Sequence, residues 1–393
     1  MTTIDTTLAE NFDPSDAATV IDPYPSYAAL RDKCPVAHFD SCDGFWMLSK
    51  YDVVQTVANQ PVLFSSNGGA TFPPVGNPIR AIPLEIDPPE HGKYRTLLQP
   101  WFSPGAVAKL TDGIRAITRG LLDGFAERGE GDLVHELANP LPSMVIANMM
   151  GFPESDWEKF RHLADRMCET SRVMDQAANF EAAMNVFAYL SGEVNRRRET
   201  PLDDMITQLM NTEVNGALMP DEVLLGMIFF VWIAGHETTV GGIGFMLWYL
   251  GMHPDVKQRV LADRSLIPAV VEETLRLGSP VNHVMRTVTE DANVGGCPIP
   301  AGERVVVSWG SANRDADVFP EPDELRIDRH PNRHLAFGYG VHRCLGAPLA
   351  QLELRVVLEE VLERMPDFEL TDESAVKIDG IQARAVRTLP ARW

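Results

Sequence analysis

One cysteine in this sequence stands in a glycine-rich loop that runs directly into a helical pattern. Residues 337–346 read F-G-Y-G-V-H-R-C-L-G, and residues 347–362 carry leucines and valines at helical spacing. Most free cysteines are small buried hydrophobes, but Cys344 lies where a loop meets a helix N-terminus, a position that lowers the pKa of a thiol. The glycines allow the backbone to approach a flat ligand closely. The loop therefore indicates a thiolate that can be offered to a metal.

The spacing argues against a phosphate-binding loop, because neither G-x-G-x-x-G nor G-K-[ST] is present. The segment resembles the haem-binding loop of the cytochrome P450 family, whose pattern F-G-x-G-x-H-x-C-x-G is matched at every fixed position. The resemblance implies haem b as the cofactor and Cys344 as the axial ligand of its iron. It also implies haem contacts for four further loop residues, Phe337, Gly338, His342 and Gly346.

A second motif is the run A-V-V-E-E-T-L-R-L. Helical periodicity places Glu273 and Arg276 on one face, where they can form an ion pair, although such a pair is also common on solvated helix surfaces. In the P450 family the matching pair supports the core beneath the haem together with a later arginine, which Arg329 matches. The aromatic-acid pair usual upstream of that arginine reads Leu325-Arg326 here. We therefore expect the local packing of this segment to differ.

The longest helical pattern, residues 220–251, contains an apolar run over residues 223–234 that ends in A-G-H-E-T-T. A membrane span needs about 20 apolar residues, so this shorter run indicates a helix buried in a large soluble core. Thr238 can bond back to the carbonyl of Ala234 and bend or widen the helix. Threonines of this kind also commonly just face other helices.

The string A-G-H-E-T-T resembles the oxygen-binding groove of P450 enzymes. That resemblance implies that Ala234 and Gly235 leave room beside the iron. It also implies that Glu237 and Thr238 form the acid–alcohol pair that delivers protons. An unpaired carboxylate within a buried helix is costly, so a functional role for Glu237 is expected.

Haem carries two propionates, and a water-excluded pocket needs cations placed to bind them. The segment D-P-P-E-H-G-K-Y-R places His91 and Arg95 four residues apart on one helix face. Both match the haem-contacting helix of the P450 family, as Arg286 and His342 match its other propionate ligands. Each alone is more typical of an ordinary surface cation. Together the four predict a propionate site.

Six apolar residues are predicted to line the substrate pocket. Four share a face of the long helix with the acid–alcohol pair, and two lie in the stretch that, by resemblance, passes beside the substrate. They are Met227, Phe230, Val231, Ala234, Val281 and Val284. Such side chains fit a small or medium-sized hydrophobic molecule and equally fit ordinary core positions. The sequence does not distinguish a terpene, a fatty acid, an aromatic compound or a macrolide.

We predict a single P450 catalytic domain over residues 1–393, because no Gly/Ser linker, low-complexity tract or repeat divides the chain. Hydrophobic residues make up 45% of it, enough for a sizeable core. The first twenty residues are polar and acidic without a signal-peptide pattern. Five cysteines without paired spacing are typical of a reducing compartment. We therefore expect a cytoplasmic protein without a membrane anchor.

The net charge of −21 argues against nucleic acid and anionic membranes as partners. Five cations nevertheless lie in segments that the P450 family places on the cysteine side of the haem. They are Lys93, Arg95, Arg333, Arg343 and Arg355. The resemblance implies electrons from a separate, typically acidic ferredoxin with its NAD(P)H-dependent reductase, and no flavin bound in this chain. The five cations are the predicted docking site for that ferredoxin.

The predicted fold class is mainly α with a small β portion (α+β), as in the P450 fold, with the haem buried between the long central helix and the cysteine loop with the last helix. Strands are predicted near residues 36–39, 45–49 and 304–308, with further period-two patterning from about residue 281. The helical patterns before the last helix cover residues 25–33, 51–59, 91–99, 105–128, 139–151, 154–170, 177–198, 203–211, 220–251, 254–263 and 267–278.

The reaction implied by the resemblance is monooxygenation. One oxygen atom of O2 enters a hydrophobic organic substrate by hydroxylation, epoxidation or O-dealkylation, and the other is reduced to water. Two alternatives stay open. A haem-thiolate enzyme that uses peroxide, or rearranges its substrate without external electrons, is disfavoured by the presence of Glu237 and Thr238. A non-enzymatic haem-based gas sensor usually needs an output module, and the sequence shows none.

Overall fold

The computed structural model describes residues 7–10 and 12–393, most of them in helices. The polar N-terminus predicted to lack a signal pattern lies partly outside this range, at residues 1–6 and 11. The α-helices are α1 Thr7–Glu10, α2 Ala17–Ile21, α3 Tyr24–Lys33, α4 Tyr51–Ala58, α5 Glu90–Leu98, α6 Pro104–Ala108, α7 Thr111–Asp123, α8 Pro140–Met149, α9 Trp157–Arg172, α10 Gln176–Glu199, α11 Met205–Met210, α12 Asp221–Ala234, α13 Glu237–Met252, α14 Pro254–Ala262, α15 Ile267–Gly278, α16 Trp309–Ala312 and α17 Ala347–Arg364.

The β portion is small and lies mostly beside the helices. Its strands are β1 Val36–Phe39, β2 Phe45–Leu48, β3 Phe64–Ser65, β4 Glu130–Asp132, β5 Glu213–Val214, β6 Ala217–Leu218, β7 His283–Val288, β8 Ala292–Val294, β9 Cys297–Ile299, β10 Arg304–Ser308, β11 Glu369–Leu370, β12 Lys377–Asp379, β13 Ala385–Thr388 and β14 Pro390–Arg392. The predicted fold class, mainly α with a small β portion, is confirmed.

The main sheet has five strands in the order β1-β2-β10-β7-β3. Strands β2 and β10 run parallel, and the other neighbours are antiparallel. In β10, Val305 and Val307 pack into one hydrophobic cluster and Val306 into another. This alternation is the two-residue period of a strand. The sheet is therefore buried on both faces at the strand next to β7, which carries Arg286.

Most predicted helices are present with small shifts at their ends, and two long ones are divided. The pattern over residues 105–128 forms α6 and α7, separated near Lys109 and Leu110. The pattern over residues 220–251 forms α12 and α13, interrupted at Gly235 and His236. Periodicity continues across both junctions, so it does not reveal the interruptions. The strands β11–β14 after the last helix were not individually predicted.

The pair α12 and α13 forms the central element of the core. By length and composition alone, Asp221–Met252 is apolar enough to cross a membrane, and 61% of its most apolar window is buried inside the protein. Helix α13 packs against α15, α17 and β13. This burial is the setting expected for the core helix of a soluble protein.

The predicted ion-pair set on α15 forms beside the segment that precedes the cysteine loop. Arg276 Nη2 lies 2.7 Å from Glu273 Oε1, and neither residue is exposed to solvent. Arg329 donates from Nε to the same oxygen at 3.1 Å. Arg276 Nη1 also donates to the carbonyls of Asn313 and Pro322 at 2.9 and 2.6 Å. The set therefore ties α15 to the irregular chain of residues 313–329.

Leu325 and Arg326, which replace the aromatic-acid pair usual in the family, make different local contacts. The backbone N–H of Arg326 donates to Glu273 Oε1 at 3.0 Å, while its side chain pairs at the surface with Glu321 and Asp328. Leu325 packs against the main hydrophobic core. The ion-pair set thus keeps its contacts although the side chains at these two positions differ from the family pattern.

Candidate active site

The cysteine loop and the long helix face a common cavity of about 400 Å³. Segments of α12 and α13 form one wall, and the loop with the start of α17 forms another. Residues 71–85, β7, residues 381–383 and parts of α5, α8 and α9 also line it. The predicted site residues on its wall are His91, Arg95, Phe230, Val231, Ala234, Gly235, Glu237, Thr238, Val281, Val284, Arg286, Phe337, Gly338, His342, Cys344 and Gly346.

Met227 is the predicted pocket residue that does not lie on this wall. It is fully buried in the main hydrophobic core. The neighbouring turn of α12 is covered by the chain at residues 80–82, where Ile82 N–H donates to the carbonyl of Gly226 at 3.3 Å. A Cβ on Gly226 would lie 2.6 Å from the carbonyl oxygen of Arg80. Met227 packs into the core and not onto the cavity wall, so helical spacing alone extended the predicted pocket one turn too far.

Two glycines in left-handed backbone conformation shape the cysteine loop, with φ of 68° at Gly338 and 73° at Gly340. At Gly340 a Cβ would also lie 2.5 Å from the carbonyl oxygen of Ala58. The loop is closed by a hydrogen bond from Cys344 N–H to the carbonyl of Phe337 at 2.8 Å. The glycine pattern therefore serves a tight turn that presents the thiol to the cavity.

The Cys344 thiol faces the cavity, where it is accessible, yet protein surrounds it on its other sides. Burial raises the pKa of Cys344 above its usual value. The backbone N–H groups of Gly346 and Ala347, at the start of α17, and the charges of Arg95 and Arg343 act in the opposite direction. A bound metal cation would add to these and deprotonate the thiol. The surroundings therefore favour a thiolate once a cation is present.

Any metal at Cys344 must bring most of its own ligands. Among residues 7–10 and 12–393, no group of three or more His, Cys, Asp or Glu side chains is placed to hold a metal ion. A protein-bound zinc site needs three or four such ligands. A single cysteine suits a prosthetic group in which a macrocycle supplies the remaining ligands, as in haem.

Four groups able to carry positive charge gather at the cavity: His91, Arg95, Arg286 and His342. Arg286 is 7% exposed, and burial lowers its pKa to about 10, so it remains a cation near neutral pH. Its Nη1 donates to the carbonyl of Met285, and Arg95 Nη2 donates to the carbonyl of Arg343, both at 2.6 Å. Over the described part of the chain, neither arginine has a carboxylate within ion-pair distance.

The two histidines in this cluster are held neutral. Their ring centroids lie 4.3 Å apart. Burial lowers the pKa of His91, and burial with the charges of Arg286, His91 and Arg95 lowers that of His342 to about 3. His91 Nε2 is buried and has no hydrogen-bond partner within the described ranges. Because a buried polar atom or cation is costly without a partner, the cluster fits the two propionates of haem.

The interruption between α12 and α13 exposes polar groups to the cavity. Thr238 Oγ1 donates to the carbonyl of Ala234 at 2.9 Å, the predicted back-bond. Gly235 lies on the cavity wall, and a Cβ there would lie 2.4 Å from Ile146 Cδ1. Its missing side chain lets α8 pack closely against the long helix. Ala234 contributes a small side chain to the cavity wall.

Glu237 is buried and held by arginines that sequence reasoning missed. Arg387 Nη2 on β13 lies 2.5 Å from Glu237 Oε1, and Arg172 Nη1 at the end of α9 lies 3.7 Å from it. Burial alone would raise the pKa of Glu237, but Arg387, His236 and Arg172 together hold it below the usual value. These partners are 65 and 150 residues away in the chain, so no local pattern identifies them.

His236, at the interruption itself, is fully buried. Its Nδ1 lies 2.8 Å from Ser143 Oγ on α8, and its Nε2 lies 3.2 Å from Asp165 Oδ1 on α9. Asp165 also accepts a hydrogen bond from Asn139 Nδ2 at 3.0 Å. The histidine therefore fastens the interrupted helix to two neighbouring helices, a role that the A-G-H-E-T-T string does not reveal.

A second buried carboxyl, Glu353 on α17, lies on the cavity wall. It is 1% exposed, and its Oε2 has no hydrogen-bond partner among the described residues. Burial raises the pKa of Glu353 well above its usual value. The pKa of Glu353 is therefore shifted in the opposite direction to that of Glu237.

We expect Cys344→Ala to abolish the strongly red-shifted Soret band of the reduced carbon monoxide complex, because that band requires a thiolate ligand on haem iron. Cys168→Ala is the matched control, since Cys168 is a buried thiol that also lines the cavity, and it should leave the band unchanged. The measurement is the absorption spectrum of the reduced carbon monoxide complex of each purified variant. A red-shifted band retained in Cys344→Ala would show that another residue ligates the iron.

We expect Arg286→Met to act in opposite directions on the haem-free and haem-bound protein. Removing an unpaired buried charge should raise the free energy of unfolding of the haem-free form by about 1–3 kcal/mol. Losing one charge-assisted hydrogen bond should speed haem dissociation by roughly tenfold or more.

The two measurements are chemical denaturation of the haem-free protein and haem transfer to an excess of acceptor protein. Arg304→Met, on the neighbouring strand β10, is the control for loss of charge and should leave the dissociation rate unchanged. Unchanged haem dissociation in Arg286→Met would remove this arginine from the propionate site.

Comparison with known proteins agrees with this geometry. The cytochrome P450 family model matches residues 132–382. Steroid C26-monooxygenase of Mycolicibacterium smegmatis is 36% identical over 358 residues, covering 90% of this chain and 88% of that protein. Cytochrome P450 monooxygenase PikC of Streptomyces venezuelae is 35% identical over 384 residues, covering 95% and 91%.

A solved structure extends the similarity to the fold. The cytochrome P450 PksS of the Bacillus subtilis 168 bacillaene polyketide synthase superposes with a TM-score of 0.89 at 29% identity, covering 97% of this chain and 99% of that one. The similarity to this structure extends over almost the whole chain. This chain belongs to the cytochrome P450 family, and it is a haem b-binding monooxygenase.

Proposed function

We propose that this P450 inserts one oxygen atom of O2 into a small or medium-sized hydrophobic substrate, with electrons from a separate ferredoxin and its NAD(P)H-dependent reductase. The observation that carries the proposal is the placement of Cys344, Glu237 and Thr238 on one cavity. Bound haem supplies the activation of O2, and a thiolate ligand favours O–O cleavage. The protein contributes the thiolate, a shielded cavity and protons.

We assign proton delivery to Thr238 and Glu237. The Thr238 hydroxyl donates to the carbonyl of Ala234, which leaves its oxygen free to accept a proton from a neighbour or from water. Glu237 is next in the chain and lies on the cavity wall. A hydroxyl and a carboxyl at this place can pass protons from the protein to the reacting oxygen without admitting bulk water.

The proposed substrate class follows from the cavity wall. Its walls carry aromatic and aliphatic side chains from several elements, with few polar groups. Among them are Phe72, Phe229, Phe230, Val281, Val284 and Ile381. Pockets of this kind bind mainly apolar ligands and use the few polar groups for orientation. Haem and substrate share this cavity, so the substrate meets mainly the apolar wall that haem leaves uncovered.

We propose a cytoplasmic location and one catalytic domain. All five cysteines are free thiols in the structure, as expected in a reducing compartment. The apolar Asp221–Met252 pair is largely enclosed by other helices. Residues of the cavity wall come from both ends of the chain, from Thr71 to Ala383, which supports a single folding unit.

Not all predicted ferredoxin-docking cations are equally available. Lys93 pairs with Glu90 at 2.5 Å, and Arg355 lies 3.7 Å from Glu359. Arg95 is engaged by the carbonyl of Arg343. The side chains of Arg333 and Arg343 are exposed and, among residues 7–10 and 12–393, have no ion-pair partner. These two are therefore the best placed to attract an acidic protein at the cysteine side.

We expect Thr238→Ala to keep NAD(P)H consumption while diverting electrons to hydrogen peroxide. General-acid steps contribute about 10²–10⁴-fold, so product formed per NAD(P)H should fall much further than substrate affinity. Thr238→Ser keeps the hydroxyl and should retain most of the coupling. Product, peroxide and NAD(P)H are measured in the same reaction. Equal losses of substrate binding and coupling would instead assign Thr238 a structural role.

We expect Arg343→Glu to slow the first electron transfer when ferredoxin is limiting and to leave substrate binding intact. Electrostatic steering acts mainly on association and weakens as salt screens it, with a Debye length of about 8 Å at physiological ionic strength. Stopped-flow reduction at varied ferredoxin and salt concentrations measures the effect.

Arg198→Glu is the matched charge change, at the end of α10, where Arg198 pairs with Asp221. It should leave the rate constant unchanged. An unchanged second-order rate constant for Arg343→Glu at low salt would remove Arg343 from the docking site.

A further inference from the structure

We propose that Arg387, on the C-terminal hairpin formed by β12 and β13, is a positioning residue that pairs with Glu237 at the cavity wall and through this contact sets the pH range over which Glu237 takes part in proton delivery. The inference rests on the proposed role of Glu237 in proton delivery. It adds a residue on an element that carries no part of the cysteine-loop, E-x-x-R or A-G-H-E-T-T patterns.

The contact between Arg387 and Glu237 is close and nearly enclosed. The side chains are 17% and 11% exposed, and Arg387 Nη2 lies 2.5 Å from Glu237 Oε1. A guanidinium and a carboxylate at this separation form an ion pair. The contact is therefore chiefly an attraction between two charges. Such a contact constrains the charge of the carboxylate more than its exact orientation.

Arg387 is itself fixed by a second acid. Its Nε donates to Asp379 Oδ1, which lies across the hairpin on β12. The pairing of β12 with β13 and the packing of β13 against α13 hold the hairpin beside the long helix. Burial opposes a cation at Arg387, but Glu237 and Asp379 raise its pKa above the usual value. Arg387 is therefore charged at every pH at which the enzyme works.

The other charged and titratable groups around Glu237 do not replace Arg387. Arg172 on α9 is 3.7 Å from Glu237 and also 3.7 Å from Asp379, so it is shared between two acids. His236 is adjacent in the chain and bonded to Ser143 and Asp165. Cys168 on α9 is a neutral thiol, because burial and the charge of Glu237 raise its pKa. Arg387 is the closest cation to the carboxylate.

Burial and the charge of Arg387 act in opposite directions on the pKa of Glu237, and this predicts how loss of Arg387 shifts that pKa. Burial raises its pKa and is the largest influence, while Arg387 is the leading influence that lowers it. With the arginine present the carboxyl titrates below its usual range and stays ionised at neutral pH. Without it, burial dominates and titration moves to higher pH. Opposite charges at such distances shift carboxyl pKa values by roughly 1–3 units.

The test follows the protonation of Glu237 directly in the haem-loaded enzyme. Infrared difference spectra across a pH series report the protonated carboxyl band, and Glu237→Gln identifies it by its loss. We expect Arg387→Gln to move this titration upward by roughly 1–3 pH units and to make product formed per NAD(P)H vary with pH in the neutral range. Arg387→Lys restores the charge and should restore a profile close to the original.

A second variant keeps the inference testable if Arg387→Gln folds poorly. Asp379→Asn keeps the arginine but removes its competing acid, so Glu237 should titrate at lower pH. Arg392→Gln, on β14 and paired at the surface with Glu369, is the control and should change neither profile. An upward shift in Asp379→Asn, or a titration in Arg387→Gln that superimposes on the original, would overturn the role of Arg387.

The same variants separate this inference from the proposed function. If Glu237→Gln lowers coupling and Arg387→Gln shifts neither profile, the acid has its proposed role and Arg387 does not control it. If Glu237→Gln leaves coupling unchanged, the proposed proton-delivery role of Glu237 is wrong, and the inference about Arg387 loses its functional part.

Discussion

Arg286 is a buried cation whose closest partner is a backbone carbonyl, and the cofactor side of the cavity is organised around that unpaired charge. Taking an ion out of water without a counter-ion costs several kcal/mol even after relaxation. The strand that carries it, β7, lies inside the main sheet between β10 and β3. A rigid frame therefore holds the charge in place. An anionic cofactor binds more favourably to such a cation, because folding has already fixed and dehydrated it.

The ion-pair set of Glu273, Arg276 and Arg329 shows the opposite arrangement. Every charge in it has a partner, and several backbone carbonyls accept the remaining guanidinium protons. The charged side chains of this set at α15 are therefore all paired within the protein, whereas Arg286 at the haem side of the cavity has no ion-pair partner among the described residues. Any ligand that binds only the folded state stabilises that state by mass action. The unpaired cations make haem binding and folding stability parts of one equilibrium.

The two carboxyls on the cavity wall illustrate how surroundings assign chemical roles. Glu237 has arginines beside it and titrates low, whereas Glu353 has only burial and titrates high. The same type of side chain is thus shifted in opposite directions at two places on one wall. Pairs of groups separated in this way are typical of acid–base chemistry in enzymes. The difference comes from partners brought by α9 and β13.

The parts of this site that could be predicted depend on short-range spacing. The cysteine loop, the Thr238 back-bond and the Glu273–Arg276 pair each lie within a few residues of chain. The six-residue string that spans the start of α13 placed Glu237 at the cavity but could not show Arg387, because that contact depends on how a C-terminal hairpin packs. The prediction for Met227 was limited in a related way, because helical spacing does not show that this side chain packs into the main core. The interruptions between α6 and α7 and between α12 and α13 were not predicted. The spacing of apolar residues shows which side of a helix is buried, but it does not show where the backbone hydrogen bonds of the helix are broken.

The cavity is enclosed by two kinds of chain. The thiol and the acid–alcohol pair belong to elements packed within the main core, whereas residues 71–85 and 381–383 reach the cavity as loops. Loops tolerate substitutions and changes of length that core helices do not. Descendants of such a protein could therefore exchange the loop sequences, and with them the shape of the substrate that is accepted. The thiol and the acid–alcohol pair would stay the same in those descendants.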